Sequence, residues 1–278
     1  MIELKNISFY YNRKQPLFND LSIQIKPGRI YGLLGKNGAG KTTLLKNIAG
    51  LSFIKSGNCS VFGMESKQRK PEMLENIFFL PEEIWLPDVS VSTYLKMYAS
   101  SWPQFDYIFF DYCLSEFEIK KNANLKNMSF GQRKKTAISF AFATQCKLMI
   151  LDEPTNGLDI PSKGKFRKLA SEIISDDRCI ILSTHQVRDL ETLIDTIIIL
   201  ENSKILINNS IEEVCEKLFF KTVPVIDQTN EVLHSEFTPR GYSIILRNPE
   251  KEESKIDLET LFNFSTQTPD KIQSIFNI

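Results

Sequence analysis

Short apolar runs recur through the first two hundred residues of this 278-residue chain. Several runs, such as LMIL, CIIL and TIIIL, are continuously apolar and do not alternate with polar positions. That pattern is typical of parallel strands buried on both faces, with helices between successive strands. It predicts eight strands, at residues 2–9, 21–25, 30–34, 59–62, 77–80, 148–151, 179–182 and 196–200. The chain is therefore expected to have an α/β fold with a mostly parallel sheet.

The interval 87–145 has a different pattern. Its apolar residues have helical spacing, it is rich in aromatic residues, and it contains no continuous strand-like run. We expect a helical subdomain with a core of aromatic side chains, namely Trp102, Phe105, Tyr107, Phe109, Phe110 and Tyr112. An alternative use of part of this surface is a groove for a helix of a membrane partner.

The composition changes again after residue 208. The pattern predicts an amphipathic helix at 211–220, a strand at 242–246, a charged loop at 250–255 and a helix at 258–264. We therefore expect one domain at 1–208, with its helical subdomain at about 87–145, and a small α+β extension at 209–278.

Charge and composition exclude several classes of protein. Lys plus Arg and Asp plus Glu both number 34, although residues 209–278 hold seven basic against twelve acidic residues. A balanced total argues against nucleic acid as the main partner. The apolar runs reach four or five residues, whereas a membrane-spanning helix needs about 20, so the chain is not expected to cross a bilayer by itself.

The cysteines and the amino terminus indicate the compartment. The five cysteines are scattered without a C-x-x-C pair, which favours reduced core thiols over a disulfide framework or a zinc site. The amino terminus has no signal-peptide pattern. We expect a cytosolic protein.

One glycine-rich motif predicts phosphate binding. The run at 35–42 fits G-x-x-x-x-G-K-[ST], follows a predicted strand and precedes a predicted helix. Its backbone N–H groups and the helix N-terminus favour phosphate oxygens. Lys41 is expected to neutralise the β- and γ-phosphates, and the Thr42 hydroxyl to coordinate Mg²⁺. The predicted nucleotide-binding residues here are Gly35, Lys36, Asn37, Gly38, Ala39, Gly40, Lys41, Thr42 and Thr43.

A second motif is an apolar strand that ends in two carboxylates, Asp152 and Glu153. Strands that end in acids are common, but this one follows a phosphate-binding loop in the same chain. Asp152 is expected to hold the Mg²⁺ through its hydration shell, and Glu153 to polarise the attacking water.

Three further segments complete a family pattern. They are MSFGQ at 128–132, TNGLD at 155–159 directly after the acidic pair, and STH at 183–185. With these motifs in this order, residues 1–220 resemble the nucleotide-binding subunit of an ATP-binding cassette (ABC) transporter. The resemblance implies a P-loop NTPase core, an antiparallel β subdomain, a helical signature subdomain and the C-terminal extension.

The resemblance also implies roles for single residues. Tyr11 matches the aromatic residue that stacks on adenine, with Tyr10 as a rival, and His185 matches the histidine that contacts the γ-phosphate. Asp159 matches the D-loop aspartate that communicates across a dimer. The signature residues that would meet ATP bound to the opposite subunit are Ser129, Phe130, Gly131 and Gln132.

Two positions depart from the family pattern. The signature usually reads LSGGQ, and here Met128 and Phe130 replace its leucine and first glycine. Many relatives have a glutamine that binds Mg²⁺ and water at the position of Glu82. Many exporter-type cassettes have a glutamate there, as this chain does. The neighbouring basic run 133–135 is interpreted as a solvated helix start.

Together these features predict an ATPase subunit that drives a separate transmembrane permease by ATP-dependent, head-to-tail dimerisation. The metal set would be Thr42, Glu82 and Asp152, with Glu153, His185 and Lys41 as catalytic residues. The dimer would be a homodimer or a pair with another cassette, located in the cytoplasm on the inner face of the membrane. The alternative is a soluble ABC-type ATPase that acts on a ribosome or another non-transport partner.

Overall fold

The computed structural model describes residues 1–187, 191–226 and 231–276. Its central sheet has six strands, which are β3 (Arg29–Leu34), β6 (Ile77–Leu80), β7 (Leu148–Asp152), β8 (Cys179–Thr184), β9 (Thr196–Glu201) and β10 (Lys204–Ser210). They lie in the order β10-β9-β3-β8-β7-β6, and every pairing is parallel except that of β10 with β9. The predicted α/β class with a mostly parallel sheet is confirmed.

The central strands are buried on both faces, as their continuous apolar sequences predict. Every residue of β7, β8 and β9 is buried. Alternate residues of β8 pack into two different clusters, with Ile180 and Leu182 on one side of the sheet and Cys179 and Ile181 on the other. Helices cover one face and a flanking antiparallel sheet with helix α1 (Lys41–Ile48) covers the other, so these strands have no solvent-exposed face.

Two antiparallel sheets flank the centre. The first contains β1 (Ile2–Phe9), β2 (Phe18–Ile25), β4 (Ser56–Val61) and β5 (Met64–Glu65), in the order β2-β1-β4-β5. The second contains β11 (Leu218–Val223), β12 (Val232–Thr238) and β13 (Gly241–Arg247), in the order β11-β13-β12. The first is the antiparallel subdomain that the family resemblance implied, and in the second β13 contains the strand predicted at 242–246.

The described helices are α1 (Lys41–Ile48), α2 (Pro71–Leu74), α3 (Val91–Tyr98), α4 (Tyr107–Glu116), α5 (Phe130–Ala143), α6 (Ile160–Ile173), α7 (Ile211–Lys217), α8 (Leu258–Gln267) and α9 (Pro269–Phe276). Short 3-10 turns occupy Ser66–Gln68, Ala99–Ser101 and Leu125–Asn127. None of these helices combines the length and apolar character that a bilayer crossing requires. The five cysteines are free thiols, as predicted.

Helices α3 to α5 form the predicted helical subdomain around one aromatic ring, that of Phe140. The rings of Phe105 and Tyr94 lie 5.0 Å from it, and that of Trp102 lies 5.5 Å from it, centroid to centroid. Aromatic pairs in these tilted and edge-to-face arrangements add to the stabilisation from burial. The prediction was wrong for Tyr107, which is 55% exposed because it begins α4 on the outer surface.

The C-terminal extension differs from the prediction in its first element. Helix α7 begins with a capping box between Ser210 and Glu213, but it ends at Lys217 and not at residue 220. Leu218 and Phe220 instead pair with Arg247 and Ile245 of β13. Long-range pairing therefore overrides the local helical pattern. Strand β12 and helix α9 were not predicted.

The strand register brings the ends of four strands together. Leu34 pairs with Thr184, and Asp152 pairs with Ser183, so the segments that follow β3, β7 and β8 leave the sheet side by side. Strand β6 ends two residues before Glu82 at the same edge. The carboxyl edge of an open parallel sheet is where ligands bind in such folds.

Candidate functional site

The glycine-rich loop 35–42 connects β3 to α1 and curls around its own lysine. Gly38 and Gly40 have φ values of +82° and +104°, which favour glycine, and Gly40 is the N-cap of α1. The Lys41 Nζ donates to the carbonyl oxygens of Gly35 (2.7 Å) and Lys36 (3.2 Å). Burial lowers the pKa of Lys41, and the nearby carboxylates of Glu153, Asp152 and Glu82 oppose that effect. The loop therefore presents a confined cation and free N–H groups at a helix N-terminus.

Asp152 joins the loop to the neighbouring strand. The Thr42 hydroxyl donates to Asp152 Oδ2 at 2.7 Å, and the Ser183 hydroxyl donates to Asp152 Oδ1. Asp152 is only 2% exposed, so these two bonds hold its carboxylate in one orientation.

Glu153 follows in a left-handed backbone conformation with a φ of +47°. Its N–H donates to Ser183 Oγ at 3.0 Å, and its Oε1 lies 2.8 Å from Nδ1 of His185. A non-glycine residue with positive φ stores strain that the surrounding structure must hold in place. Here the hydrogen bonds to Ser183 and His185 hold it, and they direct the Glu153 carboxylate toward the loop.

A cavity of about 430 Å³ opens beside these groups. It is lined by Tyr11, Leu17, Asn37, Gly38, Gly40, Lys41, Thr42, Thr43, Glu82, Asp152 and Glu153. The Tyr11 ring is 73% exposed at its rim, and the Tyr11 hydroxyl lies 2.9 Å from Thr43 Oγ1. The rival Tyr10 lies instead against the ammonium of Lys55, 5.5 Å from the ring centroid. The cavity has a flat exposed ring at one end and cationic and acidic groups at the other.

His185 lines a second cavity of about 230 Å³ on the other side of the loop, together with Gly35, Lys36 and Asn37. Phe262 of α8 also lines this cavity, so the C-terminal extension reaches the glycine-rich loop.

Glu82 lies on an exposed loop at the entrance of the larger cavity, and two contacts connect it to other segments. Its Oε1 accepts a hydrogen bond from Asn156 Nδ2 (3.1 Å), and its carbonyl oxygen accepts one from Lys134 Nζ (3.1 Å). Glu83 does not line the cavity.

The interpretation of the basic run 133–135 as a solvated helix start was wrong for Lys134. Its side chain is fully buried in α5, and burial lowers the pKa of Lys134 to about 8, although Glu82, Asp152 and Glu153 favour its charged form. Neither Lys134 nor Asn156 nor Ser183 was predicted as a site residue. Ser183 and Asn156 gave a signal, because Ser183 lies near the end of buried strand β8, two positions before His185, and Asn156 lies in the TNGLD segment.

The signature residues lie at the N-terminus of α5 and none of them lines the larger cavity. Ser129 and Gln132 form a capping box, since the Ser129 hydroxyl accepts from Gln132 N–H and Gln132 Oε1 accepts from Ser129 N–H. The Ser129 O–H is therefore still able to donate to an anion. Phe130 is the first helical residue and is 44% exposed, and Gly131 follows it. Met128 is buried, and its sulfur accepts a hydrogen bond from Thr136.

Asp159 is exposed and forms the N-cap of α6, where its carboxylate accepts the N–H of Ser162 at 2.8 Å. Hydrogen bonds from Ser162 lower the pKa of Asp159. The last residue of the TNGLD segment therefore serves as the start of helix α6, and its side chain remains at the surface.

The donor set fits a hard divalent cation. Thr42, Asp152 and Glu82 offer a hydroxyl and two carboxylates at the edge of one cavity. Mg²⁺ is commonly held by one or two carboxylates together with phosphate oxygens of the substrate. Among the described residues no group of three or more His, Cys, Asp and Glu could hold a metal without such a substrate.

Comparison with known proteins agrees with this geometry. The family model "ABC transporter" matches residues 18–156. The ABC transporter ATP-binding protein YtrB of Bacillus subtilis (strain 168) is 31% identical over 74% of this chain and 70% of its own length. An uncharacterized ABC transporter ATP-binding protein of Methanocaldococcus jannaschii is 30% identical over 94% of this chain and 95% of its own.

Solved structures show the same fold. The structure of an ATP-binding subunit of an ABC transporter superposes with a TM-score of 0.70 at 25% identity, over 77% of this chain and 91% of the other. The match to the family model spans the glycine-rich loop and both carboxylates, which are the residues that a nucleotide site needs. The chain belongs to the ABC transporter family and is an ATP-binding, ATP-hydrolysing subunit of such a transporter.

Proposed function

We propose that two cassettes close head to tail around two ATP molecules, each held between the glycine-rich loop of one chain and the signature of the other. The observation that carries this proposal is the separation of the two motifs. Lys41, Asp152 and Glu153 line one cavity, whereas the Ser129 end of α5 lies outside it. A single chain therefore offers half of the contacts that the family motifs provide. Because the loop of each chain meets the signature of the other, the same contact occurs twice and the dimer has two-fold symmetry.

Within one such site the residues divide the work. The Tyr11 ring supports the base, the loop N–H groups and Lys41 hold the phosphates, and the partner's signature donates a second helix N-terminus to the γ-phosphate. Glu153 orients and polarises the attacking water, and His185, held 2.8 Å from Glu153, contacts the γ-phosphate. Asp159 contacts the other subunit across the dimer interface.

Thr42, Asp152 and Glu82 would hold Mg²⁺ with the nucleotide. When bound there, the ion would supply neutralisation of the negative charge on the phosphates. Asp152 is suited to this role because its bonds to Thr42 and Ser183 hold the carboxylate in one orientation.

The transmembrane partner is a separate permease, which the dimer drives by closing and reopening. The helical subdomain and the loop before it offer exposed large side chains to such a partner, since Trp85 in the loop is 79% exposed and Tyr107 and Ile108 of α4 are 55% and 84% exposed. Glu82 in place of glutamine favours an exporter. The chain would thus be cytoplasmic and peripheral on the inner face of the membrane, with residues 209–278 as an extension to the cassette.

The test is complementation between two inactive variants. A Lys41→Ala chain has a defective loop, and a Ser129→Arg chain has a blocked signature. In a mixed dimer, one site keeps the intact loop of the second chain and the intact signature of the first. Random pairing makes about half of the dimers mixed with one complete site each, so the mixture should recover about a quarter of the parental ATPase activity.

The matched control mixes Lys41→Ala with Glu153→Gln. Both changes lie on the loop side of the site, so no arrangement of these chains contains a complete site, and no activity should return. Equal recovery in both mixtures, or recovery in neither, would contradict head-to-tail assembly.

A further inference from the structure

Phe130 is the one signature residue whose side chain departs in size from the family pattern. It packs on the D-loop of its own chain, which is the TNGLD segment at 155–159. A methyl group placed on Gly157 would overlap the Cε1 and Cδ1 atoms of the Phe130 ring. The ring thus lies directly against the Gly157 backbone. Gly157 has a φ of +79°, so this turn is one that glycine adopts most easily.

The next residue strengthens the contact. A Cβ on Gly131 would lie 3.0 Å from the carbonyl oxygen of Gly157, which means that the first turn of α5 and the D-loop backbone are in close approach. Two consecutive residues of the signature therefore meet one residue of the D-loop.

Both segments also contact the same third loop. Asn156, beside Gly157, donates to the Glu82 carboxylate, and Lys134, one turn along α5 from Phe130, donates to the Glu82 carbonyl oxygen. The signature helix, the D-loop and the loop after β6 thus form one connected cluster, which reaches the nucleotide cavity at Glu82.

The D-loop lies between two site residues. It starts after Glu153, which is the water-polarising residue, and it ends at Asp159, the N-cap of α6. A displacement of the D-loop at Gly157 therefore acts on the backbone that positions Glu153. Misplacement of a catalytic group by about 1 Å costs on the order of 100-fold in rate.

We propose that Phe130 is a positioning residue, whose ring holds the D-loop at Gly157 so that the signature and the Glu153 segment of one chain move as a unit. This inference rests on the proposed head-to-tail arrangement. There, the signature of a chain meets the partner's nucleotide while Glu153 serves the chain's own nucleotide. The Phe130–Gly157 contact then couples the two sites within one protomer.

The test is a double-mutant cycle on kcat, with Phe130→Gly, Gly157→Ala and the double variant. In the parental background, Gly157→Ala pushes the ring and the turn apart and should lower kcat by about tenfold or more. In the Phe130→Gly background the added methyl group has room, so the same change should cost about threefold or less, mainly from backbone strain. Phe130→Gly alone should lower kcat about fivefold with little change in the KM for ATP, because the Phe130 ring packs on Gly157 and the Ser129 and Gly131 contacts to nucleotide are kept.

Two further variants separate positioning from folding. Phe130→Leu keeps an apolar side chain over Gly157 and should retain kcat within about twofold. Gly164→Ala in α6 is the matched control for Gly157→Ala, because a Cβ there would make only an ordinary contact with the Arg167 guanidinium at 3.9 Å on a helical backbone, and it should leave kcat unchanged.

The same cycle is also measured on the thermal midpoint of the nucleotide-free proteins, which does not depend on dimerisation. Coupling in both measurements supports the inference, whereas failure of the complementation experiment would overturn the head-to-tail arrangement and not the Phe130–Gly157 contact. Coupling in the thermal midpoint alone would show a merely structural contact and overturn the inference. Multiplicative effects on kcat, or a Phe130→Gly variant with the parental kcat, would overturn it as well.

Discussion

Glu82 illustrates how much a single side chain can decide at the metal position. Its carboxylate lines the nucleotide cavity and accepts a hydrogen bond from Asn156 at 3.1 Å, a bond that a glutamine oxygen can also accept. Glutamine therefore preserves the shape of this contact and removes only the negative charge. The neighbouring Glu83 is exposed and outside the cavity, which makes it a matched control.

We expect Glu82→Gln to raise the Mg²⁺ concentration needed for half-maximal ATPase activity. A unit negative charge about 4 Å from a divalent ion contributes about 2 kcal/mol in water-like surroundings, equivalent to about 30-fold. Glu83→Gln should shift the midpoint much less. Titration of Mg²⁺ at fixed ATP for the three proteins measures this, and superimposable curves would remove Glu82 from the metal site.

The signature helix α5 is unusual because it contains a buried lysine. Lys134 is fully buried, and its Nζ donates to the Glu82 carbonyl oxygen at 3.1 Å. Burial lowers the pKa of Lys134 from an ordinary 10.5 to about 8. Between these values the unfolded chain binds more protons than the native protein. The free energy of unfolding must then rise with pH in that window, and the contribution is constant below about pH 8.

Removal of the ionisable group should therefore change the pH dependence of stability. We expect the free energy of unfolding of the parental protein, relative to Lys134→Met, to rise by roughly 1 kcal/mol per pH unit between about pH 8 and 10. Urea unfolding with EDTA at pH 7, 8, 9 and 10 measures the difference, in which the titration of all other groups cancels to first order. A difference that stays constant over this range would show that Lys134 is not desolvated in solution.

In the proposed function, the whole molecule is one subunit of a dimer that closes around two ATP molecules. The Glu153 carboxylate is the group that destabilises the closed dimer. Its carboxylate is 6% exposed and faces the cavity beside Lys41 and Asp152. In a closed dimer this negative charge would lie close to the γ-phosphate, where like charges in a water-poor site repel strongly.

Glu153→Gln removes both the water-polarising charge and this repulsion. We expect ATP binding to persist, turnover to fall by about 100-fold or more, and a dimer to accumulate with Mg-ATP. Gel filtration with and without nucleotide measures the dimer. Lys41→Ala combined with Glu153→Gln is the control and should stay monomeric, since it lacks the phosphate contact of the loop. Hydrolysis by Glu153→Gln at the parental rate would contradict the assigned role.

The sequence by itself determined the features that depend on short stretches of chain. A glycine-rich loop between a strand and a helix needs only its own backbone geometry, so the loop at 35–42 was identifiable from local pattern. Continuous apolar runs likewise predicted the buried strands β7 to β9, because burial on both faces favours apolar residues at successive positions and leaves polar ones such as Asp152 and Ser183 near the strand ends.

Only the tertiary structure decided the contacts between segments that are distant in sequence. Lys134 has the local pattern of a solvated basic run, and its burial follows from the approach of the Glu82 loop, 52 positions away. Residues 218–220 continue a helical pattern, but pairing with β13 makes them a strand. Phe130 meets Gly157 for the same reason. Local pattern sets the preference of each segment, whereas burial and long-range pairing depend on which segments the fold brings together, and their free energy exceeds that preference.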